Sequence, residues 1–99
     1  MLEIPITSDA PHFSQEHQLF GQLYVFEFEW VEREGYWVLH LYDGSEQAIA
    51  LGLRISLGWP LWFDCRSNLV LDVIPKHPQT FLNLKTFHKD FSLVAYEAI

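Results

Sequence analysis

From Leu23 to Val31 the chain alternates without a break. Tyr24, Phe26, Phe28 and Trp30 fall on one side, and Val25, Glu27 and Glu29 on the other. A period of two with one polar side defines a half-buried antiparallel strand, and nowhere does the pattern settle on the 3.6-residue period of a helix. Glu32-Arg33-Glu34-Gly35 follows as a polar turn in which Gly35 is free to take a positive φ. Alternation resumes from Tyr36 to Tyr42, with Trp37, Leu39 and Leu41 set against Tyr36, Val38, His40 and Tyr42. Asp43-Gly44 is the next turn, a dipeptide that strongly favours hairpins. Ala48 to Leu57 then places Leu51, Leu53, Ile55 and Leu57 opposite Gly52, Arg54 and Ser56. Three strands joined by two tight turns make a meander.

The flanks are less regular. His12 to Leu19 reads as an edge strand, with Gly21 marking the turn into the meander. Pro60 cannot donate to a ladder, so the third meander strand is expected to stop near Gly58. Leu61 to Asn68 reads as a loop with at most one helical turn, Leu69 to Ile74 as a short apolar run closed by Pro75, and Phe91 to Tyr96 as a last alternating strand. Lys76 to Asp90 is a long connection carrying Phe81, Leu82, Leu84 and Phe87. A connection that apolar has to lie against its own domain or a neighbour. The expected fold is all-β: one small antiparallel barrel or strongly curled sheet of about six short strands, since closure removes unpaired edges.

Length and composition agree with this. A chain of 99 residues makes a single domain spanning residues 1–99, and its 49% hydrophobic and 16% aromatic content is far from that of a disordered chain. Cys65 stands alone and cannot form an internal disulfide, which fits folding in a reducing cytoplasm. No apolar run approaches the ~18 residues of a membrane span. The start at Met1-Leu2-Glu3-Ile4-Pro5 lacks the basic and apolar regions of a signal peptide. The formal charge is −7, and residues 1–34 hold seven acids with Arg33 as the only base. That sign is opposite to what phosphate neutralisation requires, so nucleic acid is not an expected partner, and with no spanning run a membrane is not expected either. Acidity of this kind keeps an aromatic-rich protein soluble, or presents an acidic face to a basic partner.

Residues that could carry chemistry are few. No Gly-x-Ser-x-Gly elbow, phosphate-cradling glycine loop or Cys-x-x-Cys pair is present. His12, His17, His40, His77 and His88 lack metal-ligand spacing, and His12 and His17 fall on opposite faces of a strand. His40 reads as a half-buried, hydrogen-bonded side chain, Cys65 as an inert thiol, and Glu27 with Glu29 as the wet side of the sheet. No catalytic residue, metal ligand or cofactor site is expected. Trp30 and Trp37 flank the first turn and fit a core, whereas Trp59 and Trp62 sit around Pro60, where they either cap the fold or anchor a partner.

The segment from Phe28 to Gly44 resembles the central hairpin of the phage baseplate plug family of contractile-tailed phages and prophages. Ile4-Pro5-Ile6, Gly21 with Tyr24, Trp37 with Leu39, Asp43-Gly44, the run Gly52 to Leu61, and Leu93-Val94-Ala95-Tyr96 follow in the family's order. The family often has Leu-Gly before its last strand, where this chain has Leu84-Lys85. The resemblance implies a non-enzymatic structural part of the tail baseplate, near the hub and the end of the tail tube. It implies other baseplate, hub or tail-tube proteins as partners, an oligomer within the assembly, and synthesis in the host bacterial cytoplasm. The apolar loop residues Trp59, Pro60, Leu61, Trp62, Phe81, Leu84 and Phe87 are then the expected protein interface. Two other readings fit the residues alone: a carbohydrate- or ligand-binding β-barrel using Trp59 and Trp62, and a small acidic inhibitor or immunity-type protein using residues 1–34.

Overall fold

The computed structural model describes residues 2–56, 61–64, 69–76, 82, 84 and 86–97. Among them run strands β1 (Leu2–Ile4), β2 (His12–Leu19), β3 (Gln22–Val31), β4 (Tyr36–Asp43), β5 (Ala48–Arg54), β6 (Trp62–Asp64), β7 (Leu69–Pro75) and β8 (Phe91–Glu97). One helical turn, α1 (Phe87–Asp90), precedes β8. The strands form two four-stranded antiparallel sheets, in the orders β1-β8-β7-β6 and β2-β3-β4-β5. The fold is all-β as expected, but the expected barrel or curled sheet of about six strands is corrected to two layers with eight strands among the described residues. Period two reveals which side of a strand is apolar but not which distant strand lies beside it.

β2, β3 and β4 stand where the alternation puts them. Tyr24, Phe26 and Phe28 of β3 are buried with Trp37, Leu39 and Leu41 of β4, each 5% exposed or less. They meet Ile4, Leu71, Val73, Leu93 and Ala95 from the inner face of the other sheet in one core. Burial of this aromatic and aliphatic surface, at about 25 cal/mol per Å², is the main force holding the layers together. Leu19 pairs with Gln22, so β2 and β3 are joined by the two residues Phe20 (φ 50°) and Gly21 (φ 86°). Two positive φ angles make a type I′ turn, the geometry that matches the twist of a hairpin.

The sequence pattern misplaces three elements. β5 ends at Arg54, and its pairing with β4 slips twice, between Leu39 and Leu41 and between Leu41 and Tyr42. Gly52, at φ +71°, accommodates an extra residue there, so Leu53 and Ala50 turn inward while Leu51 stands 59% exposed. Leu51 therefore does not share a face with Leu53 and Ile55, contrary to what strict alternation expects. Second, Trp62–Asp64 forms strand β6 on β7, where a loop is expected. Third, Leu2–Ile4 pairs with β8, although three residues before a proline carry no readable period.

Candidate interaction surfaces

The seven residues expected at an interface divide into three groups. Trp59, Pro60 and Phe81 lie outside the described residues. Leu61, Trp62 and Leu84 are half-buried, each resting one side on the core and turning the other outward. Phe87 is only 1% exposed. Its ring lies 5.0 Å from that of Trp37 and 5.4 Å from that of Phe28. The surface role expected for Phe87 is corrected: α1 carries this ring into the space between the sheets, where it belongs to the folded core. Trp37 belongs to the core as expected, while Trp30 is half-buried and packs edge to face on it at 5.7 Å.

The outer face of the β2-β3-β4-β5 sheet is polar and cross-linked by hydrogen bonds. Register places Ser14 opposite Glu27, and Glu27 opposite His40. His12 Nε2 lies 2.6 Å from Glu27 Oε2, and the Tyr42 hydroxyl donates to Glu27 Oε1 at 2.9 Å. These two bonds hold the Glu27 carboxyl below its ordinary value, while the same carboxylate pushes the Tyr42 phenol up. His40 Nε2 reaches Glu29 at 3.3 Å, and its Nδ1 accepts from the Gly52 N–H at 3.0 Å. The half-buried, hydrogen-bonded role expected for His40 is the one observed. Glu27 and Glu29 are the wet side of the sheet, each with a histidine partner that spacing along one strand does not reveal. The β2–β3 register would have shown the first of them, since a tight turn at Phe20-Gly21 brings His12 to the level of Glu29, beside Glu27.

Ser14, Val25, Glu27, Tyr42 and Glu46 line a shallow concavity on this face. A serine beside a histidine and a carboxylate invites comparison with a hydrolase, but the bonds run differently. His12 spends its Nε2 on Glu27, and among the described residues no hydrogen bond links Ser14 to either ring nitrogen. Nucleophilic activation needs that link. Nor do any three His, Cys, Asp or Glu side chains among the described residues gather to hold a metal.

Inside β2, Gln15 acts as a latch. Its Nε2 donates to the Pro5 carbonyl at 2.6 Å, and its Oε1 accepts from the hydroxyl of Thr7 at 2.9 Å and the amide of Thr7 at 3.2 Å. These contacts fasten the crossing from β1 to β2. Gln15 Nε2 also meets His17 Nε2 at 2.6 Å, and burial lowers the pKa of that ring.

The outer face of the other sheet differs. Val70 and Val94 stand on it, on the side opposite Leu71, Leu93 and Ala95, and each is 4% exposed. Ile74 shares that face and is 40% exposed. A sheet with apolar residues on both sides is suited to being covered on both.

The class this defines is a small all-β domain whose faces and edges, more than any cleft, carry its chemistry. The chain matches, over residues 1–97, the family described as Cyanophage baseplate Pam3 plug gp18, and it belongs to that family. The description is that of a structural component of a phage baseplate. No match was found among curated proteins or among solved structures.

Proposed function

We propose that the protein is a non-enzymatic structural subunit of a contractile-tail baseplate, in a phage or a prophage, seated near the hub and the end of the tail tube. The observation that carries this reading is the family match over residues 1–97 of the 99. The apolar outer residue Ile74 and the half-buried Leu61, Trp62 and Leu84 support it, because a subunit of a larger body keeps apolar surface for its neighbours. Trp59, Pro60, Leu61, Trp62, Phe81 and Leu84 form the contact region in this proposal, with other baseplate, hub or tail-tube proteins as partners and several copies in the assembly. The charge of −7 keeps the free subunit in solution until it is incorporated.

The test is deletion of the gene from the phage or prophage, followed by complementation with an epitope-tagged copy. Deletion should yield particles without a complete tail end, and the tag should be found by immuno-electron microscopy at the baseplate. Fully infectious particles after deletion, or a tag absent from the tail, would overturn the proposal. Trp62→Ala supplies a finer check: the purified variant should keep the wild-type circular dichroism spectrum and fail to restore assembly.

A further inference from the structure

Among the described residues each sheet has two edges, and three of these four are blunted. β1 and β6 are three residues long. β5 is broken by two register shifts and the positive φ of Gly52. Short strands and bulges are the usual ways of making an edge unattractive to another chain. β2 is different: its eight residues pair with β3 in unbroken register from His12 to Leu19, and they include no proline, lysine or arginine.

The phase of the ladder decides what β2 offers. The Trp30 N–H donates to the Pro11 carbonyl at 2.7 Å, so the hydrogen-bonded pairs with β3 continue through Phe13, Gln15, His17 and Leu19. The N–H and C=O groups of His12, Ser14, Glu16 and Gln18 therefore point away from the sheet. Among the described residues, no backbone group pairs with them. The side chains of these four residues are exposed as well.

We propose that this edge receives an extended strand from a neighbouring protein, with lysine or arginine on the face beside Glu16. That the neighbour is a tail protein rests on the baseplate reading. The charge follows from the flank itself. From Leu2 to Glu32 the chain has Glu3, Asp9, Glu16, Glu27, Glu29 and Glu32 but no lysine or arginine. Among the described residues Glu16 makes no ion pair. A second copy would bring the same carboxylates and another −7, so a basic strand is the better occupant. Main-chain hydrogen bonds would supply the attachment, and Glu16 the choice of partner.

The test uses isotope-labelled protein and two capped peptides matched to the length of β2, one alternating Val and Lys, the other Val and Glu. The Val-Lys peptide should slow amide exchange at Ser14, Glu16 and Gln18 about tenfold, leaving Phe13, Gln15 and His17 unchanged. The Val-Glu peptide should not. Ser14→Pro removes only an outward N–H and should abolish the effect without loss of fold. Glu16→Lys should reverse the peptide preference, and it reads the same edge should the proline variant unfold. Equal slowing by both peptides, slowing by neither, or protection that rises with protein concentration alone would overturn the proposal. The gene deletion described above reads the baseplate assignment independently of this result.

Discussion

Phe87 and Glu27 each have partners that the linear pattern does not reveal. Phe87 lies in a connection that reads as surface, yet its ring is enclosed by those of Phe28 and Trp37. Phe87→Ala should destabilise the fold by about 3–5 kcal/mol, the usual cost of emptying such a site. Urea denaturation measures this, and a loss below about 1 kcal/mol would return Phe87 to the surface. Glu27 is held below its ordinary pKa of 4.5 by His12 and Tyr42. A lowered carboxyl pKa adds stability above the unfolded value, and that stability is lost as pH falls through the folded one. Glu27→Gln should therefore be less stable than wild type at neutral pH, with the gap closing as the pH drops below 4.5. A gap independent of pH would mean that shape, and not charge, links these side chains.

At the scale of the element, the hairpin turn between β2 and β3 contains an unfavourable choice. Phe20 takes φ 50°, a conformation costing roughly 1–2 kcal/mol for a residue with a β-carbon and less for asparagine. Phe20→Asn would create Asn-Gly, the preferred type I′ sequence, and should raise stability by about 0.5–1 kcal/mol in chemical denaturation. A decrease would show that the half-exposed Phe20 ring contributes more packing than its backbone costs. β2, β3 and β4 were legible in the sequence because long alternation and tight turns are local signals. β1 and β6 were not, since three residues cannot establish a period, and each is a strand only through β8 or β7. The slip at Gly52 was hidden because Leu51, Leu53 and Ile55 alternate in sequence, while a bulge reassigns their faces. The hydrogen-bonded face was half legible: Glu27 and Glu29 could be placed outward, but His12 and His40 reach them only across the ladder.

Over the whole molecule, the two sheets depend on one core and on a crossing that begins at β1. Ile4 is 2% exposed and the Leu2–Ile4 segment covers the edge of β8. A chain lacking residues 1–6 should lose that cover together with the core contribution of Ile4, by itself about 2–5 kcal/mol. It should sediment as aggregate where the full chain stays dispersed. A folded, monomeric truncation would show that β7 and β8 stand without their outer neighbour. The outer faces of the two sheets differ in what they carry. The polar ladder of Glu27, His12 and Tyr42 faces outward from one sheet, while Val70, Val94 and Ile74 face outward from the other.

The pairing of Leu2 with Ala95 has a practical consequence. Because β1 and β8 run side by side in opposite directions, Leu2 and Glu97 lie at the same end of one sheet. A short glycine-rich bridge could join them, and the chain could be reopened at the exposed Gly44–Ser45 turn, giving a circularly permuted protein with the same ladders. Tags attached at the new ends would leave from the β4–β5 hairpin, so a label could be moved from one sheet to the other without altering any strand.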